Sequence, residues 1–200
     1  EVAGGCYEPD APLTELGREV LSACEEAGVM VDCSHMNERS ALAVLEAAEK
    51  PVVFSHSNVR SLNGNFRNIT DDMITACAAT DGVIGVTGIS NFMPGGRADP
   101  DAMLDVVDYL ANRVDVKHIG IGLDYVYDVD LDELPEGVDP SYWWPPEYGY
   151  GDDFYKSSRF VPPEAASGLK LGLKERGYTE DDIAGIMGGN FYRVAAACWK

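Results

Sequence analysis

Two of the three histidines in the chain each follow a short apolar segment and a serine. The segment VMVDCSH ends at His35, and the segment VVFSH ends at His56. Imidazole is the commonest protein ligand for transition metals, so two histidines in matching positions point to one shared metal ion. The alternative is a pair of core or helix-capping histidines whose nitrogens bond to the backbone, and the repeated serine-histidine pattern favours the metal.

A carboxylate closes a third apolar segment, HIGIGLD, which ends at Asp124. A carboxylate at such a place needs a compensating cation or hydrogen bonds. A metal ion would supply that compensation, and a carboxylate beside an activated water can also move its proton. The alternative is that Asp124 caps the following loop. At the other end of this segment, His118 is expected to be structural.

Two further polar residues each have two interpretations. Asp32, inside VMVDCSH, either orients a histidine as an outer partner or has a structural role, which we favour. Arg67 lies in the loop NGNFRNITDD. Its guanidinium either holds a substrate carboxylate through two hydrogen bonds or pairs with Asp71 or Asp72.

The apolar periodicity predicts helices that alternate with short strands. One helix runs from Leu13 to Gly28, and later helices open at Asn37 and at Thr70. Such alternation indicates parallel strands with right-handed crossovers. No GxGxxG or GxxxxGK[ST] motif lies in a strand-to-helix turn, which counts against nucleotide binding. His35, His56 and Asp124 all follow strands, as catalytic groups do in a (β/α)8 barrel, and four β/α units are half of one.

Composition restricts the class of protein and of partner. With 46% hydrophobic residues, residues 1–200 are expected to form a single domain, in which 125–160 is a long aromatic and acidic loop. The net charge of −19 argues against nucleic acid as a partner. No apolar stretch is long enough to span a membrane, and no membrane anchor is evident. The five cysteines lack CxxC spacing, which argues against a disulfide framework and favours a reducing, cytoplasmic location.

Several ordered segments together resemble the renal (membrane) dipeptidase family, the zinc dipeptidases of peptidase family M19. They are LTELGREVL, GVMVDCSH, PVVFSHSNVR, FRNITDDMI, HIGIGLD and GGNFYRV. The resemblance implies a (β/α)8 TIM barrel of the metal-dependent hydrolase type with two zinc ions. The chain would be its second half, strands 5–8, with the C-terminal helices. The family's H-x-D pair and bridging Glu would then precede Glu1, so the chain alone is expected to hold a partial site and to be inactive.

The resemblance also implies a role for each candidate residue. His35 and His56 would bind one zinc ion, Asp124 would bind the other and act in catalysis, and Arg67 would hold the substrate's terminal carboxylate. The expected reaction is hydrolysis of dipeptides with a free C-terminal carboxylate, D-residues at that position included. Loop 125–160 would form part of the rim of the active site. The chain reads LDYVYD where the family commonly has D-F-D-G, which leaves substrate preference open.

Two other functions stay open at this point. One is a related metal-dependent amidohydrolase that acts on another amide or on a lactam. The other is an acidic scaffold domain that has lost the chemistry. Because a half barrel exposes sheet edges, self-association, for instance as a homodimer, is also expected.

Overall fold

Strands and helices alternate along the chain, as the sequence predicts. The computed structural model describes residues 2–125, 139, 141, 145–148 and 158–199. The strands are β1 Val31–Asp32, β2 Val52–Phe54, β3 Val83–Val86 and β4 Ile119–Ile121. The helices are α1 Glu15–Ala27, α2 Glu38–Ala47, α3 Asp71–Ala79, α4 Pro100–Ala111, α5 Ala166–Glu175, α6 Glu180–Ala184 and α7 Asn190–Cys198. None of these helices is both long and apolar enough to cross a membrane.

The four strands form one parallel sheet in the order β1-β2-β3-β4. Val31 of β1 pairs with Val52, Phe54 of β2 pairs with Ile84, and Ile84 in turn pairs with Ile119 of β4. Because each strand follows its neighbour through a helix, all four carboxyl ends lie at one edge of the sheet. The α/β class is therefore confirmed, whereas a half barrel stays a prediction.

Local capping sets the helix boundaries that the sequence predicts. Gly28 caps the carboxyl end of helix α1, and its φ of 77° is in the left-handed region that glycine adopts without strain. The Asn37 side chain accepts a hydrogen bond from the Ser40 N–H at 2.7 Å and opens α2. The Thr70 hydroxyl accepts from the Met73 N–H at 3.4 Å and opens α3. These caps supply partners for N–H groups that have none within the helix.

Apolar side chains cover both faces of the sheet. Along β2, Val52 and Phe54 pack into the larger core cluster with α2, α3 and α4. Val53 points to the other face, where it packs in a second cluster with Phe191 and Val194 of α7. Each such buried side chain contributes roughly 1.5–3 kcal/mol through the area it removes from water. This burial anchors the strands whose carboxyl ends hold the candidate residues.

The loops after β2 and β3 are tied to each other by asparagine side chains. Asn63 Nδ2 donates to the Met93 carbonyl at 2.9 Å, and Asn68 Nδ2 donates to the Phe92 carbonyl at 3.0 Å. Arg67 lies between these two asparagines, so the same bonds hold the segment that carries its guanidinium. The loop is therefore positioned by side-chain amides rather than by regular secondary structure.

Most of the predicted rim loop, 125–160, lies outside the described residues. Within its described part, the Tyr148 hydroxyl donates to the Tyr7 carbonyl at 2.6 Å. The Tyr148 ring also lies 5.1 Å from the ring of Phe66, edge to face. This turn thus contacts the segment beside Arg67, and the role of the whole loop as a rim stays a prediction, as does the single domain over 1–200.

Candidate metal centre

The two histidines that follow β1 and β2 meet at the carboxyl edge of the sheet. His35 Nε2 lies 3.0 Å from His56 Nε2, and the ring centroids are 5.0 Å apart. His35 has a φ of 69°, so the chain turns sharply at this residue, three residues after the end of β1. The structure therefore brings together two side chains that are 21 residues apart in the sequence.

Asp124, the third candidate ligand, joins the histidines from the far side of the sheet. Its Oδ2 lies 3.9 Å from His56 Nε2. Asp124 also has a left-handed backbone, with a φ of 54°, three residues after the end of β4. Its side chain is 41% exposed, so this edge is open to solvent in the described part of the chain.

The electrostatic environment keeps both imidazoles neutral near pH 7. Burial, followed by the positive charge of Arg67, lowers the pKa of His35 to about 4. Burial also lowers the pKa of His56, although the negative charge of Asp124 opposes that change. A neutral imidazole carries one nitrogen lone pair, which is what a metal ion requires of it.

Arg67 is buried, and its charge acts on the site. Only 5% of its surface is exposed, and its Nη1 has no hydrogen-bond partner among the described residues. Arg67 forms no ion pair with Asp71 or Asp72 among the described residues, and Asp71 bonds instead to Arg113 Nε at 3.2 Å and to the Tyr109 hydroxyl. A buried nitrogen without a partner is costly, and a substrate carboxylate would satisfy it. Carboxylate binding by Arg67 stays a prediction that this geometry supports.

The two serines before the histidines have different partners, which sequence reasoning missed. Ser55 Oγ lies 2.7 Å from His56 Nδ1 and donates to Asp32 Oδ2 at 2.5 Å. Ser34 Oγ instead accepts from the backbone N–H of His56 at 3.2 Å. The available signal was the repeated serine-histidine pair itself. Sequence alone gave neither hydroxyl a role.

Asp32 ties the ends of β1 and β2 together. Its Oδ1 accepts from the Ser34 N–H at 2.9 Å and from the Ser55 N–H at 3.0 Å. Partial burial alone would raise the pKa of Asp32, but the hydrogen bonds from Ser55 and Ser34 outweigh it and lower the pKa. The carboxylate is therefore ionised at neutral pH, and among the described residues it forms no direct hydrogen bond with either imidazole.

A sequence model of the family "Membrane dipeptidase (Peptidase family M19)" matches residues 2–139 of this chain. That match extends over more than half of the chain and includes all four candidate residues. The chain belongs to this family. The resemblance that the sequence motifs indicate is therefore confirmed.

Three curated relatives of this M19 chain are named dipeptidases. Dipeptidase aclJ of Aspergillus oryzae is 25% identical over 91% of the chain, and dipeptidase 3 of Rattus norvegicus is 26% identical over 94%. An uncharacterized dipeptidase of Schizosaccharomyces pombe, C965.12, is 30% identical over 68% of the chain. The matches cover 38%, 34% and 32% of these relatives, respectively, so the chain spans about a third of their length.

Solved structures resemble the M19 chain in fold. An amidohydrolase from Pseudomonas aeruginosa superposes with a TM-score of 0.79 at 28% identity, over 99% of this chain and 61% of that one. A metallopeptidase from Rhodobacter sphaeroides, liganded with a phosphinate mimic of the dipeptide L-Ala-D-Ala, gives 0.69 at 24% identity. That match covers 94% of this chain and 48% of the other. The fold is therefore similar to that of M19 dipeptidases, which is of the TIM-barrel type.

The donor set at the carboxyl edge is of a kind that suits a zinc ion. Two imidazole nitrogens bound to one tetrahedral zinc ion, each at about 2.0–2.1 Å, lie roughly 3.3 Å apart. The observed 3.0 Å between His35 Nε2 and His56 Nε2 is close to that spacing. The described residues contain no group of three or more His, Cys, Asp or Glu side chains arranged to hold a metal ion. They therefore contribute an incomplete ligand set that fits zinc.

The remaining histidine and the cysteines lie apart from this centre. His118 is buried at the amino end of β4, where its Nδ1 donates to the Gly82 carbonyl at 2.9 Å. This placement agrees with the predicted structural role. All five cysteines are free, and burial raises the pKa of Cys33, the one nearest the histidines in sequence, far above its usual range. Such a thiol is a poor nucleophile at neutral pH.

Proposed function

We propose that this chain supplies the two-histidine part of a zinc-dependent dipeptidase active site. The observation that carries the proposal is the 3.0 Å approach of His35 Nε2 and His56 Nε2, with Asp124 3.9 Å from the latter. The M19 match, and relatives that are named dipeptidases, support the same function. Because the chain spans only part of these relatives, the activity is proposed for the whole protein that contains it.

Each candidate residue has a separate task in this proposal. His35 and His56 would hold one zinc ion, and Asp124 would contribute its carboxylate to a second. Zinc, when bound, supplies Lewis acidity toward the peptide carbonyl and makes a nearby water more acidic. Asp124 accepts a proton from the attacking water and returns it to the leaving amine nitrogen as the C–N bond breaks. The products are two free amino acids.

Arg67 selects substrates with a free C-terminal carboxylate. Its buried Nη1 lacks a partner among the described residues, and a carboxylate can accept two hydrogen bonds from one guanidinium. Phe92 lies under this group, with its ring centre 5.4 Å from Arg67 Cζ, and restricts the orientation of the guanidinium. We extend the proposal to a D-residue at the C-terminal position, which a comparison of L-Ala-L-Ala with L-Ala-D-Ala tests directly.

The first experiment measures zinc in the natural protein that carries this chain. We expect about two zinc ions per protein, as in other two-metal hydrolases, and dipeptidase activity that a chelator removes and zinc restores. The His35→Ala variant should lose both the zinc and the activity. A well-folded natural protein without zinc would contradict the proposal and leave the acidic scaffold as the interpretation.

A second experiment separates the dipeptidase from an amidohydrolase with another substrate. A dipeptide and its C-terminal amide differ only in the group that Arg67 is proposed to bind. The dipeptidase should cleave the free acid much faster than the amide. Equal rates would remove the proposed role of Arg67, and cleavage of neither would point to another amide or to a lactam.

A further inference from the structure

Ser55 and Asp32 lie in a hydrogen-bonded series that ends at His56. We propose that these two residues act as positioning residues: they fix the His56 tautomer that has its proton on Nδ1 and its lone pair on Nε2. This inference rests on the proposed function, because it gives a reason for Nε2 to face a metal ion. It gives a role in the site to Ser55 and Asp32, neither of which is a proposed metal ligand.

The direction of each hydrogen bond follows from counting protons. Asp32 is a carboxylate and can only accept, so the single proton of the Ser55 hydroxyl points to Asp32 Oδ2, 2.5 Å away. The Ser55 oxygen then has only lone pairs left for His56 Nδ1, 2.7 Å away. Nδ1 must therefore carry the proton, and Nε2 of the neutral ring must carry the lone pair. This is the nitrogen that lies 3.0 Å from His35 Nε2.

The backbone holds this series in place. Asp32 Oδ1 accepts from the N–H groups of both Ser34 and Ser55, which fixes the carboxylate across the ends of β1 and β2. On the other side of Ser55, its carbonyl oxygen lies where a Cβ at Gly85 or at Gly122 would collide with it. The backbone of Ser55 is therefore held in place, and its hydroxyl lies between the Asp32 carboxylate and the His56 ring.

His35 has no equivalent arrangement among the described residues. Ser34, the serine before it, uses its hydroxyl as an acceptor for the backbone N–H of His56. Ser34 Oγ lies 3.4 Å from Ser55 Oγ, so it supports the same side of the site. The structure therefore assigns tautomer control to His56, and changes in the series should act on that residue.

The sharpest test is Asp32→Asn, because the two side chains have nearly the same shape. The two backbone N–H groups require an oxygen at the position of Oδ1, which places the Asn NH₂ opposite the Ser55 hydroxyl. Ser55 would then accept from the amide and donate its proton to His56 Nδ1. The expected result is a reversed tautomer with the proton on Nε2, and a zinc affinity that is lower by roughly 10- to 100-fold.

Nitrogen-15 NMR of the metal-free protein reads the tautomer without any activity measurement. In the unmodified protein His56 should be protonated on Nδ1. In Asp32→Asn it should be protonated on Nε2, and in Ser55→Ala it should be a mixture of both forms. Ser55→Thr keeps a hydroxyl and should restore both the tautomer and the zinc affinity.

Ser57→Ala is a matched control, since it deletes a hydroxyl two residues away. Ser57 Oγ is buried and has no hydrogen-bond partner among the described residues, so neither tautomer nor zinc affinity should change. An Nε2-protonated His56 in the unmodified protein, or folded Asp32→Asn and Ser55→Ala variants with unchanged tautomer and zinc affinity, would overturn the inference. Absence of zinc from a protein with the expected tautomer would instead overturn the proposed function and leave the tautomer result standing.

Discussion

The two ends of the parallel sheet have the same residue types in different surroundings. At the amino end, Asp81 has a left-handed φ of 60° and pairs with Lys117 Nζ at 3.0 Å and with Arg193 Nη1 at 2.8 Å. His118 lies beside this cluster, and its Nδ1 donates to the Gly82 carbonyl. Each charged side chain of this cluster forms an ion pair within the protein, although Arg193 Nε has no hydrogen-bond partner among the described residues.

At the carboxyl end, Asp124 also has a left-handed backbone, but no lysine or arginine of the described residues pairs with it. The Nε2 atoms of His35 and His56 contact each other at 3.0 Å, and neither bonds to any other protein donor among the described residues. Groups left open in this way have capacity for a ligand. The comparison shows that residue type alone does not identify a metal ligand. A histidine or an aspartate is a better candidate when no lysine, arginine or backbone group of the protein already pairs with it.

The largest expected difference between the two ends is in zinc binding. His56→Ala removes one ligand, and since zinc sites bind with about 10–16 kcal/mol shared among four ligands, affinity should fall by more than about 100-fold. His118→Ala should leave zinc affinity unchanged, and it should reduce the free energy of unfolding by about 2–4 kcal/mol, because it empties a buried position and deletes a hydrogen bond. Chelator competition and urea denaturation measure the two quantities. Loss of zinc binding in both variants would contradict the predicted difference between His56 and His118.

The next effect concerns the two arginines. Arg67→Met should raise KM for a dipeptide about 10- to 100-fold, since hydrogen bonds to a charged group contribute about 1.5–3 kcal/mol. Arg193→Met is the matched control at the amino end: it removes the pair with Asp81 and should lower stability with KM unchanged. Steady-state kinetics on the natural protein separate the two. A similar rise in KM for both variants would argue against a specific role for Arg67.

A smaller effect should appear in the backbone at His35. Because its φ of 69° disfavours a side chain with a Cβ, His35→Gly should be more stable than His35→Ala by about 1 kcal/mol. At His118, which has no positive φ, the order should reverse, with glycine less stable than alanine by about 0.5–1 kcal/mol. Urea denaturation of the four metal-free variants tests this. The same order at both positions would show that the turn after β1 is not strained.

The smallest expected effect is the pH dependence of stability at the amino end. Burial alone would raise the pKa of Asp81, but the hydrogen bond from Lys117 and the charges of Arg193 and Lys117 lower it below its ordinary 3.8. A carboxyl whose pKa is lower in the folded state stabilises the protein above pH 3.8, and this stabilisation is lost as the pH falls toward the folded pKa. The free energy of unfolding, measured from pH 7 to pH 3, should therefore decrease more for the natural sequence than for the Asp81→Asn variant. The difference should be small because Asp81 is more than half exposed.

Much of the fold could be predicted from local sequence patterns. The caps at Asn37 and Thr70, the stop at Gly28 and the alternation of helices with apolar strands depend on neighbouring residues, and the structure has each of them. The convergence of His35 and His56 was also predictable. Parallel strands bring their carboxyl ends to one edge, so residues that follow adjacent strands meet there.

The partners of individual polar groups were not predictable in this way. Arg67 had two acidic neighbours in sequence, yet it pairs with neither among the described residues, and Asp71 bonds to Arg113 and Tyr109 instead. Asp32 could be placed near a histidine, but its contact with His56 passes through the hydroxyl of Ser55. Such choices depend on which strand or helix packs alongside, and spacing along one segment does not contain that information.

By itself, the sequence determined the order of elements, the residues at the carboxyl ends of the strands and the M19 family, because periodicity, capping and ordered motifs are local properties of the chain. Only the tertiary structure decided which serine supports which histidine. The Ser55 hydroxyl bonds to Asp32, 23 residues earlier, while Ser34 bonds to the backbone of His56 on the neighbouring strand. A hydroxyl takes the acceptor that packing places within reach, and the register of β1 against β2 sets that distance.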